Sequence, residues 1–158
     1  MFYALLKTLH LLALIVWLGG MVFAHFFLRP AVATLTPAQR LPLMHAVLGR
    51  FFNAVLGAAG LVFLSGFWML GRVAKVASQA GVPYNMPLEW LLMAVLGTVM
   101  MAIFGHIRFT LFKRLSQAVA ASDWPAGGAV LGSIRHWVVV NLCIGLLIVL
   151  LVMIGSST

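Results

Sequence analysis

Four stretches of this chain are apolar over the length of a membrane. They cover residues 8–28, 51–70, 88–107 and 136–154. A transmembrane helix needs about 20 consecutive apolar residues. Hydrocarbon accepts only helices or closed barrels, because the backbone must satisfy its own hydrogen bonds there. Four runs of this length predict an all-α fold, an integral membrane four-helix bundle.

The composition agrees with this class. The 158 residues are 64% hydrophobic and 8% charged, whereas a soluble domain is about 45–50% apolar and about 25% charged. The length predicts one domain, residues 1–158. A single cysteine, Cys143, excludes an internal disulfide. The net charge of +8 comes from Lys and Arg scattered between the apolar runs, so we expect the lipid bilayer as a partner and no nucleic acid.

The basic residues predict an orientation. The segments after the first and third spans carry seven of them, namely Arg29, Arg40, Arg50, Arg108, Lys113, Arg114 and Arg135. The opposite side carries Lys7, Arg72 and Lys75. Basic loops stay in the cytoplasm, so we expect a multi-pass protein of the bacterial inner membrane with both termini in the periplasm. The first span resembles a signal peptide but is too long for one, and it is expected to be a retained helix.

The connecting segments are expected to be partly ordered. Thr36-Pro37 has the pattern of an N-cap and a first-turn proline, which predicts a short helix through Leu48 that runs into the second span. The segment 122–125 (Ser-Asp-Trp-Pro) predicts a similar start before the fourth span. Residues 73–87 are expected to be irregular, with Tyr84 and Trp90 near the membrane interface.

Glycines predict places of close helix contact. In and just before the second span, small residues recur every four positions, at Gly49, Asn53 and Gly57 and at Ala54 and Ala58, which predicts a face for close approach. Gly19-Gly20 in the first span and Gly97 in the third do the same locally.

Histidines are the clearest functional signal, because a titratable side chain in hydrocarbon is costly without a partner, an ion or a cofactor. His10, Trp17 and His25 fall on one side of the first span at about 100° per residue. This side is expected to face the bundle interior. The two histidines are about 22 Å apart along the helix axis, so His10 belongs to an outer layer and His25 to a cytoplasmic one. Met93 is placed to reach the His10 layer as a soft ligand.

Two more histidines are expected at the depth of His25. His106 ends the third span and His136 opens the fourth, so His25, His106 and His136 are a candidate three-histidine metal layer. Cys143 shares the helix face of His136, and His45 is expected outside the hydrocarbon. Each histidine has an alternative role, as a helix cap or as a hydrogen-bond partner of a neighbouring helix.

Arginines form a predicted ring at the cytoplasmic side, comprising Arg29, Arg50, Arg108 and Arg135. One interpretation is topology and contact with lipid phosphate. The other is binding of haem propionates or another anion, for which the bidentate guanidinium is suited. On the second interpretation, Arg29, Arg50 and Arg108 are candidate cofactor-binding residues.

Several short motifs resemble the CopD-type copper-resistance membrane proteins. They are Lys7-Thr8-Leu9-His10, Val16-Trp17-Leu18-Gly19-Gly20, Leu28-Arg29-Pro30-Ala31, Arg50-Phe51-Phe52, Ser65-Gly66 and Asp123-Trp124-Pro125. The family is similar to HemJ-type protoporphyrinogen oxidases and to four-helix b-type cytochromes, and His10, Trp17 and His106 match HemJ-type positions. The lysine of that pattern is absent near Met93, and the methionine-rich tracts of a copper scavenger are absent too.

The residues and the resemblance together favour a haem b-binding membrane protein with an electron-transfer or haem-linked redox role. His10 is the expected axial ligand, with His25, His106 and His136 as a second site and a redox protein or quinone as partner. Such a protein could be a haem-dependent oxidoreductase. The first alternative is copper binding or transport through His25, His106 and His136 with methionine or Cys143. The second is a non-enzymatic membrane subunit, and a homo-oligomer is compatible with all three.

Overall fold

The computed structural model describes residues 1–81, 83 and 86–155. In this part of the chain four long helices follow one another, and no strand is formed. We label them α1 (Phe2–Ala31), α2 (Pro37–Gln79), α3 (Leu88–Ala120) and α4 (Trp124–Gly155). Each is long and apolar enough to cross a membrane. The prediction of an all-α protein with four membrane-spanning helices is confirmed.

The start of α2 follows from its capping residues. Thr36 is the N-cap and Pro37 the first helical residue. The Thr36 backbone N–H donates to Gln39 Oε1 at 3.4 Å, and the Thr36 hydroxyl donates to the same oxygen at 3.0 Å. The predicted loop helix therefore exists and continues without a break into the second span. With 43 residues, α2 is about 64 Å long and extends beyond a hydrocarbon core of about 30 Å.

The other helix ends depart in part from expectation. The segment 73–87 is expected to be irregular, but α2 continues to Gln79. No Pro or Gly lies between Gly71 and Gly81, so nothing in residues 72–80 ends the helix. Gly81 has a positive φ of 66°, the conformation in which glycine ends helices. Tyr84 lies outside the described residues. The predicted start of α4 is confirmed, since Asp123 Oδ1 accepts the Ala126 N–H at 3.1 Å.

Neighbouring helices are antiparallel. α1 packs mainly on α2, and α3 packs mainly on α4. His10 lies beside Ser65, whereas Gly20, further along α1, lies beside Phe51, which is earlier in α2. Short connections between adjacent helices favour this arrangement. The N-terminal part of α1 is therefore level with the C-terminal part of α2.

An aromatic cluster fills the middle of the bundle. Trp17 and Phe104 meet edge to face with ring centroids 5.9 Å apart, and Phe52 meets Phe104 at 6.1 Å and Phe112 at 5.4 Å. Trp17, Phe52 and Phe104 are all buried. Edge-to-face pairs add to the packing energy, so this cluster holds α1, α2 and α3 together.

Two helices contain a turn of π-helix at the same end of the bundle. In α1 the turn is Phe23–Leu28, which includes His25, and in α3 it is Ile107–Leu111, which includes Arg108. A π-turn inserts an extra residue and rotates the side chains that follow it, and such turns are frequent at functional sites. The directions of His25, Arg29 and Arg108 therefore do not follow from simple helical spacing.

Close helix contact is seen at two of the five predicted glycines, Gly20 and Gly49. A Cβ on Gly49 would lie 3.1 Å from the Phe112 ring, whereas Gly57 has open space. A Cβ on Gly20 would overlap the ring of Phe51, whereas Gly19 and Gly97 have open space. We expect Gly20→Ala to lower the free energy of unfolding by about 1–3 kcal/mol, because Phe51 must move. Gly19→Ala is the matched control and should leave stability unchanged or slightly raised. Thermal unfolding in detergent measures both, and equal melting temperatures for the two variants would contradict this contact.

Candidate functional site

His10 is buried where α1 meets α2. Its side chain is 9% exposed, and Nδ1 lies 2.8 Å from Ser65 Oγ. The Ser65 hydroxyl donates to the backbone carbonyl of Leu61. The donor and acceptor roles in the contact between His10 and Ser65 depend on the imidazole tautomer. In the tautomer protonated on Nδ1, His10 donates to Ser65 Oγ, which is compatible with the Ser65 hydroxyl giving its one hydrogen to Leu61. Nε2 then carries the lone pair, which is the arrangement found in metal-binding histidines whose other ring nitrogen is held by a hydrogen bond.

A cavity of about 90 Å³ adjoins His10 and brings soft donors to it. Met93 and Met100 of α3 line this cavity together with His10, and so do Trp17 and Thr98. The prediction that Met93 reaches the His10 layer is confirmed, and Met100 lines the same cavity from two turns, about 10 Å, further along α3. One imidazole and two thioethers are a donor set that suits Cu(I).

The cavity is too small for the predicted haem. Cofactor and small-molecule sites usually enclose about 300–1,000 Å³, several times the 90 Å³ beside His10. His10 is also the only histidine among the residues that line it. The arrangement therefore offers one buried imidazole and room for an ion, and it does not fit a macrocycle.

The predicted three-histidine layer does not form. His106 and His136 are both exposed, and each ring meets the Trp137 ring edge to face with centroids 5.8 Å apart. His25 is half-buried and faces a different cavity. Within the described residues, no three His, Cys, Asp or Glu side chains converge. Cys143 is exposed, so the helix face it shares with His136 is directed away from the bundle interior.

A second cavity, of about 250 Å³, lies at the opposite end of α1. We call it the arginine cavity, because Arg29, Arg40 and Arg135 line it together with His25. Most of its remaining wall is apolar. It brings together two members of the predicted arginine ring, Arg29 and Arg135, and adds Arg40, which sequence reasoning had not placed in a site.

The other two members of the predicted ring lie elsewhere. Arg50 is exposed. Arg108 donates from Nη2 to Asn53 Oδ1 at 3.0 Å, and its guanidinium carbon is 5.3 Å from the centroid of the Phe112 ring. The hydrogen bond to Asn53 joins α3 to α2, whereas the cation–π contact with Phe112 lies within α3. The four arginines predicted from depth to form one ring therefore do not form one site. Arg29 and Arg135 line the arginine cavity, and Arg50 and Arg108 lie apart from it.

A second histidine–serine pair was also not anticipated. His45 Nε2 lies 2.8 Å from Ser116 Oγ, and the His45 ring stacks on Phe112 with centroids 4.9 Å apart. The Ser116 hydroxyl donates to the carbonyl of Phe112. Ser65 and Ser116 each lie within a long helix. Their positions in the sequence do not indicate which histidine they contact, because that depends on how the helices are rotated relative to one another.

These observations define an integral membrane protein, a four-helix bundle with a buried histidine whose cavity is also lined by two methionines, and with an arginine-lined cavity further along α1. The family copper resistance protein D (CopD) matches residues 45–154. This match covers more than half of the chain, so the protein belongs to the CopD family, and the resemblance noted in the sequence is confirmed. The match begins at His45 and therefore includes Ser65, Met93 and Met100 but not His10. No curated protein and no solved structure matches the chain.

Proposed function

We propose that this protein binds Cu(I) beside His10 and moves it into or across the membrane as part of copper handling. The observation that carries the proposal is the buried His10, which shares a cavity with Met93 and Met100 in a chain of the copper resistance protein D family. Copper is the cargo in this proposal rather than a resident cofactor.

The chemistry of the donors favours the monovalent ion. Thioethers select soft metals, and imidazole binds copper well. All three ligands are neutral, and a carboxylate is absent from the residues that line this cavity. Because charge in hydrocarbon is costly, a single positive charge is easier to hold there than the two of Cu(II) or Zn(II). The site therefore favours Cu(I) over divalent metals.

The distribution of basic residues supplies a direction. With both termini in the periplasm of the inner membrane, as the basic segments favour, the His10 cavity lies in the outer half of the bundle. Copper then enters from the periplasmic side.

Metal analysis and visible spectroscopy of the detergent-purified protein test the proposal. We expect about one Cu(I) per chain after anaerobic loading, and no Soret band before it. A Soret band with stoichiometric haem, and no retained copper, would instead support the haem-linked redox alternative. A colourless protein that retains neither would leave the non-enzymatic subunit as the better interpretation and overturn the proposal.

A further inference from the structure

The arginine cavity gathers positive charge without a protein counter-charge. Arg29, Arg40 and Arg135 line a space of about 250 Å³, and His25 lines it too. The chain has only two acidic residues, Glu89 and Asp123, and neither is among the lining residues. Three like charges around one space repel one another, and solvent partly screens this repulsion because Arg29 and Arg135 are exposed. An anion in this space would remove that repulsion.

One of the arginines shows an unmet hydrogen bond. The Nε of Arg40 is buried and has no hydrogen-bond partner among the residues that the structure describes. A buried donor attached to a charged group is costly when it stays unpaired. Arg40 lies in the first turn of α2, whose start is fixed by the N-cap Thr36. The backbone of Arg40 is therefore held in place. Arg40 also lines the cavity, so an acceptor bound there would lie beside its guanidinium group.

The lining indicates the chemical class of the anion. Guanidinium groups bind phosphate oxygens in pairs of parallel hydrogen bonds. The rest of the wall includes the apolar side chains Val32, Met44, Leu48 and Val138, which suit a ligand with an apolar body behind its charged group. A phosphate group that carries a glycerol and acyl chain has both parts.

We infer that the arginine cavity is a phosphate-binding site, which takes the phosphodiester headgroup of an anionic phospholipid. Free phosphate shares the oxyanion chemistry and could enter the same space, so both sources belong in the test. The site is separate from the His10 cavity, since the two cavities have no lining residue in common. Its failure would therefore leave the copper proposal standing.

Lipid retention and titration test this site. Native mass spectrometry of the full chain, extracted in mild detergent, should show one phospholipid adduct on the wild-type protein. Delipidated protein is then titrated with phosphatidylglycerol in mixed micelles and, separately, with inorganic phosphate. We expect Arg40→Gln and Arg135→Gln each to weaken phosphatidylglycerol binding at least about tenfold, since each removes a charged hydrogen-bond donor. Arg40→Lys keeps the charge but loses the paired geometry, so its loss should be smaller.

Arg50→Gln is the matched control, because Arg50 is an exposed arginine of α2 that does not line the cavity. It should bind lipid as the wild type does. Saturable binding of inorganic phosphate without binding of phosphatidylglycerol, if Arg40→Gln and Arg135→Gln abolish it, would support the site and identify free phosphate as its ligand. The inference is overturned when the wild type binds neither ligand, or when Arg50→Gln loses as much affinity as Arg40→Gln. Arg135 is exposed, so Arg135→Gln keeps the test valid even where Arg40→Gln fails to fold.

Discussion

Replacement of His10 with alanine is expected to abolish high-affinity Cu(I) binding. His10 is the only imidazole that lines its cavity, and the two methionines alone would leave a weaker, two-ligand site. Loss of a supporting residue around a metal ligand typically costs about 10–100-fold in affinity, so loss of the ligand itself should cost at least about 100-fold. Competition with a chromogenic Cu(I) chelator, on anaerobic protein in detergent, measures the change.

His45→Ala is the control for this substitution. His45 makes a histidine–serine contact of the same length as that of His10, 2.8 Å in both pairs, but it stacks on Phe112 and does not line the His10 cavity. We expect wild-type Cu(I) affinity from His45→Ala. Equal affinity losses in the two variants would mean that the copper signal is non-specific, and wild-type affinity in His10→Ala would remove His10 from the site.

Ser65→Ala separates ligation from simple packing. The Ser65 oxygen lies where it accepts from His10 Nδ1 in the tautomer that leaves Nε2 free to bind a metal. Without it, the imidazole loses its fixed orientation while remaining in the bundle. We expect Cu(I) affinity to fall by about 10–100-fold, less than in His10→Ala. A purely structural role for Ser65 would lower the melting temperature without moving the affinity of the folded protein.

Phe52→Ala is expected to produce the largest loss of stability. Phe52 is 1% exposed and meets both Phe104 and Phe112 edge to face, so alanine leaves a cavity between α2 and α3. In a water-soluble core such a change costs about 3–5 kcal/mol. Helices that separate within lipid remain in an apolar medium, so part of that cost disappears. We expect the free energy of unfolding to fall by about 2–4 kcal/mol.

Unfolding in mixed micelles of mild detergent and dodecyl sulfate measures this change. Phe67→Ala is the control on the same helix, because Phe67 is 63% exposed and should face lipid. We expect its effect on stability to stay within about 0.5 kcal/mol. Similar losses for Phe52→Ala and Phe67→Ala would show that the aromatic cluster does not hold the helices together.

Hydropathy was enough to predict the four spans, because an apolar run of membrane length has no alternative to a helix in lipid. Local chemistry predicted the start of α2 at Thr36-Pro37 and the start of α4 after Asp123. The side of α1 that carries His10 and Trp17 was also predictable, since a regular helix relates those positions by simple rotation, and both residues are buried. These features depend on residues close to one another in sequence.

The composition of the sites was decided by tertiary structure. His25, His106 and His136 were grouped by depth, yet rotation of α3 and α4 leaves two of them exposed. Ser65 and Met100 meet the His10 region from other helices, and Arg40 joins Arg29 and Arg135 through the packing of α1, α2 and α4. Sequence alone determined how deep each residue lies along its helix. The direction in which the polar side chains of each helix point depends on helix packing and on π-turns. Helix packing involves side chains that are far apart in the chain, so it does not follow from local sequence.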